Sequence, residues 1–439
     1  MSLNEASPSL KRRGFLFQRK GSRSAGKPSI LSSFIPAFGK AGNSEGRIET
    51  LFFLYLILFP FGVLARLPLN LWGLAEVKIY LVDLVLALLV ASWGIWRFLI
   101  KRKPYQLPPL ALPLFSFAII ALLSLGAATP LLSNREVIVS GLYLVRWLVY
   151  VGFYLVLFDL KKTLFKKRNP LHLLMVLGMA VALFGFVQYF FYPNLKPLEV
   201  LNWDPHFYRL ASSFLDPNFT GLILVLTLVI IVNDLLKNKR KKSLWLIGGM
   251  TYIALILTHS RSSYLAFLVG IGFIAFFRRN LKLFLVALVL LIFSLAILPQ
   301  PAGEGGKLTR TYTIADRLVS WQNAMTIFQG HPLLGVGFNT YRYAQRDYGF
   351  LEEDWQESHG AAGTDSSLLF VLATTGLLGL ASYLWFLFRA GALAFKQRKK
   401  IMGVVCLASL GAILIHSFFL NSLFYPWVMG WLMILLVCL

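Results

Sequence analysis

Charge is scarce in this chain, and acidic charge is scarcest. Only 14% of the 439 residues are Asp, Glu, Lys or Arg, with 43 Lys plus Arg against 19 Asp plus Glu. With 57% hydrophobic residues and a mean hydropathy of +0.68, that polar complement is too thin for a soluble fold of this length. Cysteine is nearly absent. Cys406 and Cys438 fall near the cytoplasmic ends of apolar stretches, which argues against a disulfide framework or a thiolate metal site. His206, His331 and His359 lack metal-ligand spacing, and no HExxH pattern or DxD-like acidic pair occurs. Metal-independent chemistry without a cofactor is expected. There is no obvious internal repeat of the kind that often builds transporters. No apolar core with a small-residue cleavage site follows the basic N-terminal region, so that region is not read as a signal peptide.

What the sequence does contain is a series of long apolar runs. A spanning helix needs about 20 mostly apolar residues. That ruler gives twelve runs, near 50–66, 79–100, 107–127, 138–160, 170–191, 219–236, 243–258, 262–278, 281–299, 366–390, 401–420 and 423–439. Dense cationic clusters follow every second run: Lys101-Arg102-Lys103, Lys161 to Arg168, Lys237 to Lys242, Arg278-Arg279 and Lys396 to Lys400. Charge at mid-bilayer costs several kcal/mol, while short cationic loops are retained on the cytoplasmic side. The expected architecture is an all-α polytopic membrane protein of about twelve transmembrane helices, with both termini cytoplasmic. Residues 1–47 read as a disordered basic tail, 48–299 as helices one to nine, 300–365 as a helical extracytoplasmic loop domain and 366–439 as the last three helices. The net charge of +24 lies mostly in the tail and the cytoplasmic loops, where anionic headgroups account for it. Membrane lipids are therefore expected partners, and nucleic acid is not.

Two outward connections are long, Tyr192 to Asn218 and about Gln300 to Asp365, and long loops without linker composition usually carry function. The second opens on a Gly-rich turn, Pro301 to Gly306. From Ala315 to Gln329 it then places Leu318, Trp321, Met325 and Phe328 at helical spacing, until Gly330 and Pro332 stop the helix. Tyr343, Tyr348 and Trp355 add aromatic surface suited to the interface or to sugar rings.

Ionisable groups collect on this same side. The first long loop has Arg209 and Asn218, and a short outward turn has His259-Ser260-Arg261-Ser262. The large loop has Arg310, Asp316, Arg317, His331, Arg342, Arg346, His359 and Asp365, and His416 and Asn421 lie at the outer end of the eleventh run. Several guanidinium forks together can hold a diphosphate. The competing reading is pairing with carboxylates or snorkelling to headgroups. Arg342 and Arg346 are read in that second way, Arg261 and Arg317 as functional. Inside the apolar runs stand Asp83 and Arg146, read first as a structural ion pair, with Arg146 lining a substrate cavity as the alternative.

Four stretches together resemble the O-antigen ligase and O-antigen polymerase superfamily of bacterial envelope glycan transferases. Arg209-Leu-Ala-Ser-Ser-Phe-Leu-Asp-Pro-Asn218 resembles its Arg…Pro-Asn stretch before a span, and Ser260-Arg261-Ser262-Ser263-Tyr264 its Ser-Arg motif heading a helix. Asp316-Arg317-Leu-Val-Ser-Trp321, continuing through His331-Pro-Leu-Leu-Gly-Val-Gly337, resembles its Arg-x-x-x-Trp and Pro-Leu-x-Gly-x-Gly segment. Asp365-Ser-Ser-Leu-Leu, followed by Ala373-Thr-Thr-Gly-Leu-Leu-Gly379, resembles the block entering the next span.

The resemblance implies a multi-helix, GT-C-like glycosyltransferase fold. It further implies transfer from a polyprenyl-diphosphate-linked glycan donor to a glycan, lipid or protein acceptor. The residues expected to be catalytic are Asp365, Arg261 and Arg317, and those expected to bind substrate are Arg209, Asn218, Ser260, Trp321, His359, His416 and Arg146. One departure concerns the acceptor. The family's His-Asn at the start of the last block is Asp365-Ser366 here, and a carboxylate can also accept a hydroxyl proton. Ligase and polymerase differ only in acceptor. A flippase of lipid-linked oligosaccharide, the rival of another class, would need a continuous polar path that these nearly uncharged runs do not offer.

Overall fold

The computed structural model describes residues 44–67, 77–102, 104–166, 168–201, 205–238, 240–298, 312–351 and 362–439. All of them belong to one unit, Pro36–Leu439. The Gly-rich turn after Gln300, Arg310, Trp355, His359 and most of the expected tail lie outside the described residues. Fifteen α-helices carry the described chain, whose only β-pairing is the isolated bridges Arg66–Tyr80 and Asn194–Phe207. In order they are α1 (Ser44–Leu58), α2 (Leu81–Gly94), α3 (Ala111–Ala128), α4 (Asn134–Asp159), the short α5 (Lys161–Leu164), α6 (Pro170–Phe191), α7 (Pro217–Lys237) and α8 (Lys242–Leu257). There follow α9 (Arg261–Phe277), α10 (Leu281–Ile297), α11 (Tyr312–Gly330), α12 (Tyr341–Asp347), α13 (Ser367–Lys396), α14 (Ile401–Ser417) and α15 (Pro426–Leu436).

Seven helices, α1 and α2 with their 3₁₀ and π extensions, α3 with the turn after it, α4, α6, α7 and α13, are long and apolar enough to cross a membrane. The chain is a multi-pass membrane protein. The five remaining apolar runs form the shorter α8, α9, α10, α14 and α15. α1 begins within the expected tail, so Ser44 to Arg47 are helical. Its acidic residues have cationic partners, Lys101 Nζ at 3.5 Å from Glu45 and Arg168 Nη1 at 3.1 Å from Glu49.

α7 is the most buried of the seven long helices and is packed by α6, α8, α9 and α14. Gly178 lets α6 ride directly on Thr227, the small-residue contact by which membrane helices approach closely. α14 packs on α9, α13 on α3 and α15 on α4, while α10 leans chiefly on α9. Asp83 and Arg146 form the expected buried ion pair at 2.9 Å. The Asp83 carboxylate also accepts from Tyr150 Oη and Tyr80 N, both at 3.1 Å, so the charge is surrounded by donors rather than left bare in the bilayer.

α13 is one helix in length but two in conformation. Gly376 has φ +64° and ψ −165°, which breaks the i→i−4 ladder. The segment His331–Gly337 supplies the missing partners. Val336 N donates to Ala373 O (3.0 Å), Gly337 N to Thr374 O (3.1 Å), Leu377 N to Pro332 O (2.9 Å) and Leu378 N to Leu333 O (3.3 Å). From α3, Ser124 Oγ reaches both Leu334 O (2.6 Å) and Thr374 O (2.7 Å). These four backbone groups at the break are thus satisfied by protein, as a membrane setting demands. The break also anchors the region between α10 and α13. Ala324 and Ile327 of α11, Tyr341 and Ala344 of α12, and Phe370 and Ala373 of α13 share one small core.

A Cβ at Gly376 would strike the Leu333 carbonyl, whereas Gly349, also at positive φ (+70°), has nothing within 4 Å. Gly376→Ala is expected to destabilise by about 2–4 kcal/mol and Gly349→Ala by about 1 kcal/mol, from backbone strain alone. Thermal unfolding of the purified protein checks this, and equal losses would show that close approach is not the constraint.

Candidate active site

Three helices begin side by side, each at a residue suited to start it. Asp216 accepts from Asn218 N (2.6 Å) and Phe219 N (3.4 Å), with Pro217 in the first turn of α7. Ser260 Oγ accepts from Ser263 N to cap α9, and Ser366 Oγ accepts from Leu369 N to cap α13, both at 3.4 Å. Asn218, Arg261 and Asp365 therefore sit at helix N-termini, where backbone dipoles favour negative charge.

Hydrogen bonds tie these ends together. Ser260 Oγ donates to Asn218 Oδ1 (2.8 Å) and lies 3.2 Å from Ser262 Oγ. Ser262 Oγ is 3.2 Å from His416 Nε2, and His416 Nδ1 is 2.6 Å from Ser422 Oγ. Leu423 N then donates to Ser367 Oγ (3.1 Å), closing the path from α9 through α14 to α13. His416 is fully buried, so its ring serves this chain of hydroxyls.

The charged groups arrive from α9, α11 and the entry to α13. The Arg317 guanidinium lies over the Phe419 ring, 5.8 Å from its centre. Burial pushes the Arg317 pKa down from its ordinary value; the neighbouring Asp365 carboxylate raises it, and the Arg261 guanidinium lowers it. Arg317, Asp365 and Arg261 thus share one electrostatic neighbourhood. Asp365 is gripped by its backbone. Its N–H donates to Ser320 Oγ (3.2 Å), and its carbonyl accepts from Trp321 Nε1 (3.4 Å). Ser320 also lies 3.1 Å from Thr364 Oγ1, so one turn of α11 fixes where the carboxylate is presented.

Two expected substrate contacts are placed differently. Arg209 is buried, and its Nε donates to Thr258 O (3.0 Å) and its Nη2 to His259 O (3.4 Å). It clamps the turn that delivers Ser260 and Arg261. Arg146 is bound to Asp83 and to the Lys78 carbonyl, with Tyr143 and Tyr80 against its guanidinium, which is the ion pair of the first reading. Its edge borders a cavity of about 150 Å³ with Asn339, Arg342 and Asn421. Arg346 pairs with Glu136 and Asp347, as a solvated surface arginine should. His359 lies outside the described residues. Asn218, Ser260, Arg261, Trp321, Arg317, Asp365 and His416 come together.

Sequence reasoning missed Gln188, whose amide accepts from Ala211 N (2.8 Å) and Ser212 N (3.2 Å) and donates to Arg209 O (3.3 Å). An amide inside an apolar run is a readable signal, since buried polar groups must be paired. Ser320, Thr364 and Ser422 carry no such signal.

Residues 243–384, about a third of the chain, match the family model described as O-antigen ligase, which supports a place in the O-antigen ligase superfamily. The match covers the Ser-Arg turn, α11, the His331–Gly337 segment and the broken part of α13; Arg209, Asn218 and His416 fall outside it. With its array of apolar helices, the match supports a membrane enzyme that handles glycans. No curated protein shows a comparable match.

Arg209→Ala should cost about 2 kcal/mol of stability, because two buried carbonyls lose a charged donor. Arg261→Ala should stay within about 1 kcal/mol of the parent. Denaturation midpoints of the two variants decide whether Arg209 builds the site or merely lines it.

Proposed function

We propose that this chain transfers a glycan from a polyprenyl-diphosphate donor to an acceptor hydroxyl on the extracytoplasmic face of the cytoplasmic membrane, in the manner of an O-antigen ligase. All twelve apolar helices cross the bilayer, both termini are cytoplasmic, and α11 and α12 cover the outer face. Alternation of the cationic clusters supports this orientation. The observation that carries the reading is the meeting of Arg261, Arg317 and Asp365 from three separate segments beside the N-termini of α7, α9 and α13.

Donor geometry follows from this arrangement. The lipid tail lies among the helices, and the diphosphate sits against Arg261 and Arg317 with the helix ends behind them. Leaving-group charge grows on the diphosphate as the glycosidic bond breaks, and guanidiniums held in place beforehand neutralise it. Asn218 and Ser260 orient the phosphate or first sugar, and His416 fixes Ser262 and Ser422 behind them. Trp321 holds Asp365 and offers a ring to sugar. Asp365 accepts the acceptor hydroxyl proton as the oxygen attacks the anomeric carbon, giving one displacement with inversion and no metal. His359 is a second candidate on the acceptor side.

Arg261→Ala and Arg317→Ala should each lower transfer by at least about 100-fold while membrane insertion is unchanged. Labelled lipid-linked donor in proteoliposomes measures this, and wild-type turnover in either variant removes that residue from the diphosphate role. Asp365→Asn should lower turnover by about 100-fold or more with donor binding retained. A drop in binding with turnover intact would assign Asp365 to holding Arg317 rather than to proton transfer. The same vesicles separate transfer from translocation, the outcome a flippase would give. Supplying a second lipid-linked unit as acceptor separates polymerase from ligase.

A further inference from the structure

α9 starts at the candidate active site and, over 17 residues, carries the chain about 25 Å to the opposite end of the bundle. There the turn Arg278-Arg279-Asn280 and the turn holding Arg398 and Lys399 after α13 border a cavity of about 1130 Å³. Among the described residues, four cationic side chains and no carboxylate line it, and Phe276, Phe277, Phe284 and Phe395 form its wall. Two of the cations are held in place. Arg278 donates through Nε (3.2 Å) and Nη2 (3.1 Å) to Asn233 Oδ1 of α7. Arg398 donates to Phe395 O (3.1 Å), with its guanidinium 4.2 Å from the centre of that ring. Arg279 and Lys399 are exposed at the rim.

A second, almost wholly apolar groove of about 620 Å³ continues from this cavity, sharing Gly272, Phe276, Phe277 and Phe284 with it and reaching Leu265 along α9. Leu265 to Phe277 spans about 18 Å of helix, close to the depth of one leaflet of a ~30 Å hydrocarbon core. The pairing of a cationic mouth with an apolar trough of leaflet depth has the shape and charge of one kind of molecule. We propose that this is a binding site for an anionic phospholipid, its phosphate among Arg279, Arg398 and Lys399 and one acyl chain along α9. Headgroup attraction to Lys and Arg near a membrane surface supplies the selectivity, and burial of the chain against Phe276 and Phe284 supplies the residence. The site is separate from the transferase reading, and its test does not use transfer activity.

The purified full chain in a neutral detergent, incubated with phosphatidylglycerol or phosphatidylcholine, is measured by native mass spectrometry. Wild type should retain the anionic lipid about 10-fold better than the zwitterionic one. The exposed-residue triple variant Arg279→Ala/Arg398→Ala/Lys399→Ala should lose that preference, while Lys282→Ala, outside the cavity lining, should keep it. Gly272→Leu tests the trough. A Cβ there meets only the Phe284 ring at 3.7 Å, so the larger side chain enters the groove and should also reduce retention about 10-fold. Equal retention of both lipids by wild type, or equal loss in Lys282→Ala, overturns the proposal in favour of bulk charge. Full retention in Gly272→Leu together with displacement by inorganic phosphate overturns it in favour of a simple anion site.

Discussion

A peptide group at membrane depth has no water to turn to, and the break in α13 converts that constraint into architecture. Once Gly376 leaves helical conformation, the amides of Leu377 and Leu378 and the carbonyls of Ala373 and Thr374 need partners, and the Pro332–Gly337 backbone provides them. That segment directly follows α11, so satisfying α13 also determines where α11 lies. α11 in turn holds Asp365 through Ser320 and Trp321. A local requirement of hydrogen bonding therefore reaches the chemistry in two steps.

Around the candidate site, order comes from neutral groups and charge is left to a few side chains. Ser260, Ser262, His416 and Ser422 relay hydrogen bonds between helix ends without net charge. At Arg317 burial disfavours the charge most, and the attraction of Asp365 outweighs the repulsion from Arg261. Arg209 acts differently. It fastens the first long loop to the turn before Arg261, so that the two outward segments are held as one piece.

Much of this was legible in the sequence because the signals were physical. Apolar length located the helices, the spacing of Leu318, Trp321, Met325 and Phe328 foretold α11, and the isolation of Asp83 and Arg146 foretold their pairing. Arg261 stood out as an arginine in a short outward turn, and Arg317 and Asp365 through the motifs that carry the family resemblance. What sequence did not reveal was backbone behaviour. The run through Gly376 is apolar throughout, so periodicity gives no hint that it bends to receive another segment. Arg209 and Arg261 also look alike in one dimension. The difference lies in whether a guanidinium finds two carbonyls nearby, which depends on the turn after Leu257.

α10 is held on one side only. It buries just Ala287 and Leu291, while Leu285, Val286, Val289, Ile292 and Phe293 face outward. In the twelve-span arrangement proposed above this face meets lipid tails, which are as greasy as leucine and have no fixed contour, so the helix is selected by solvent rather than by fit. Its outer surface can exchange one aliphatic side chain for another with little effect on the fold, and what it cannot accept is a group that wants water.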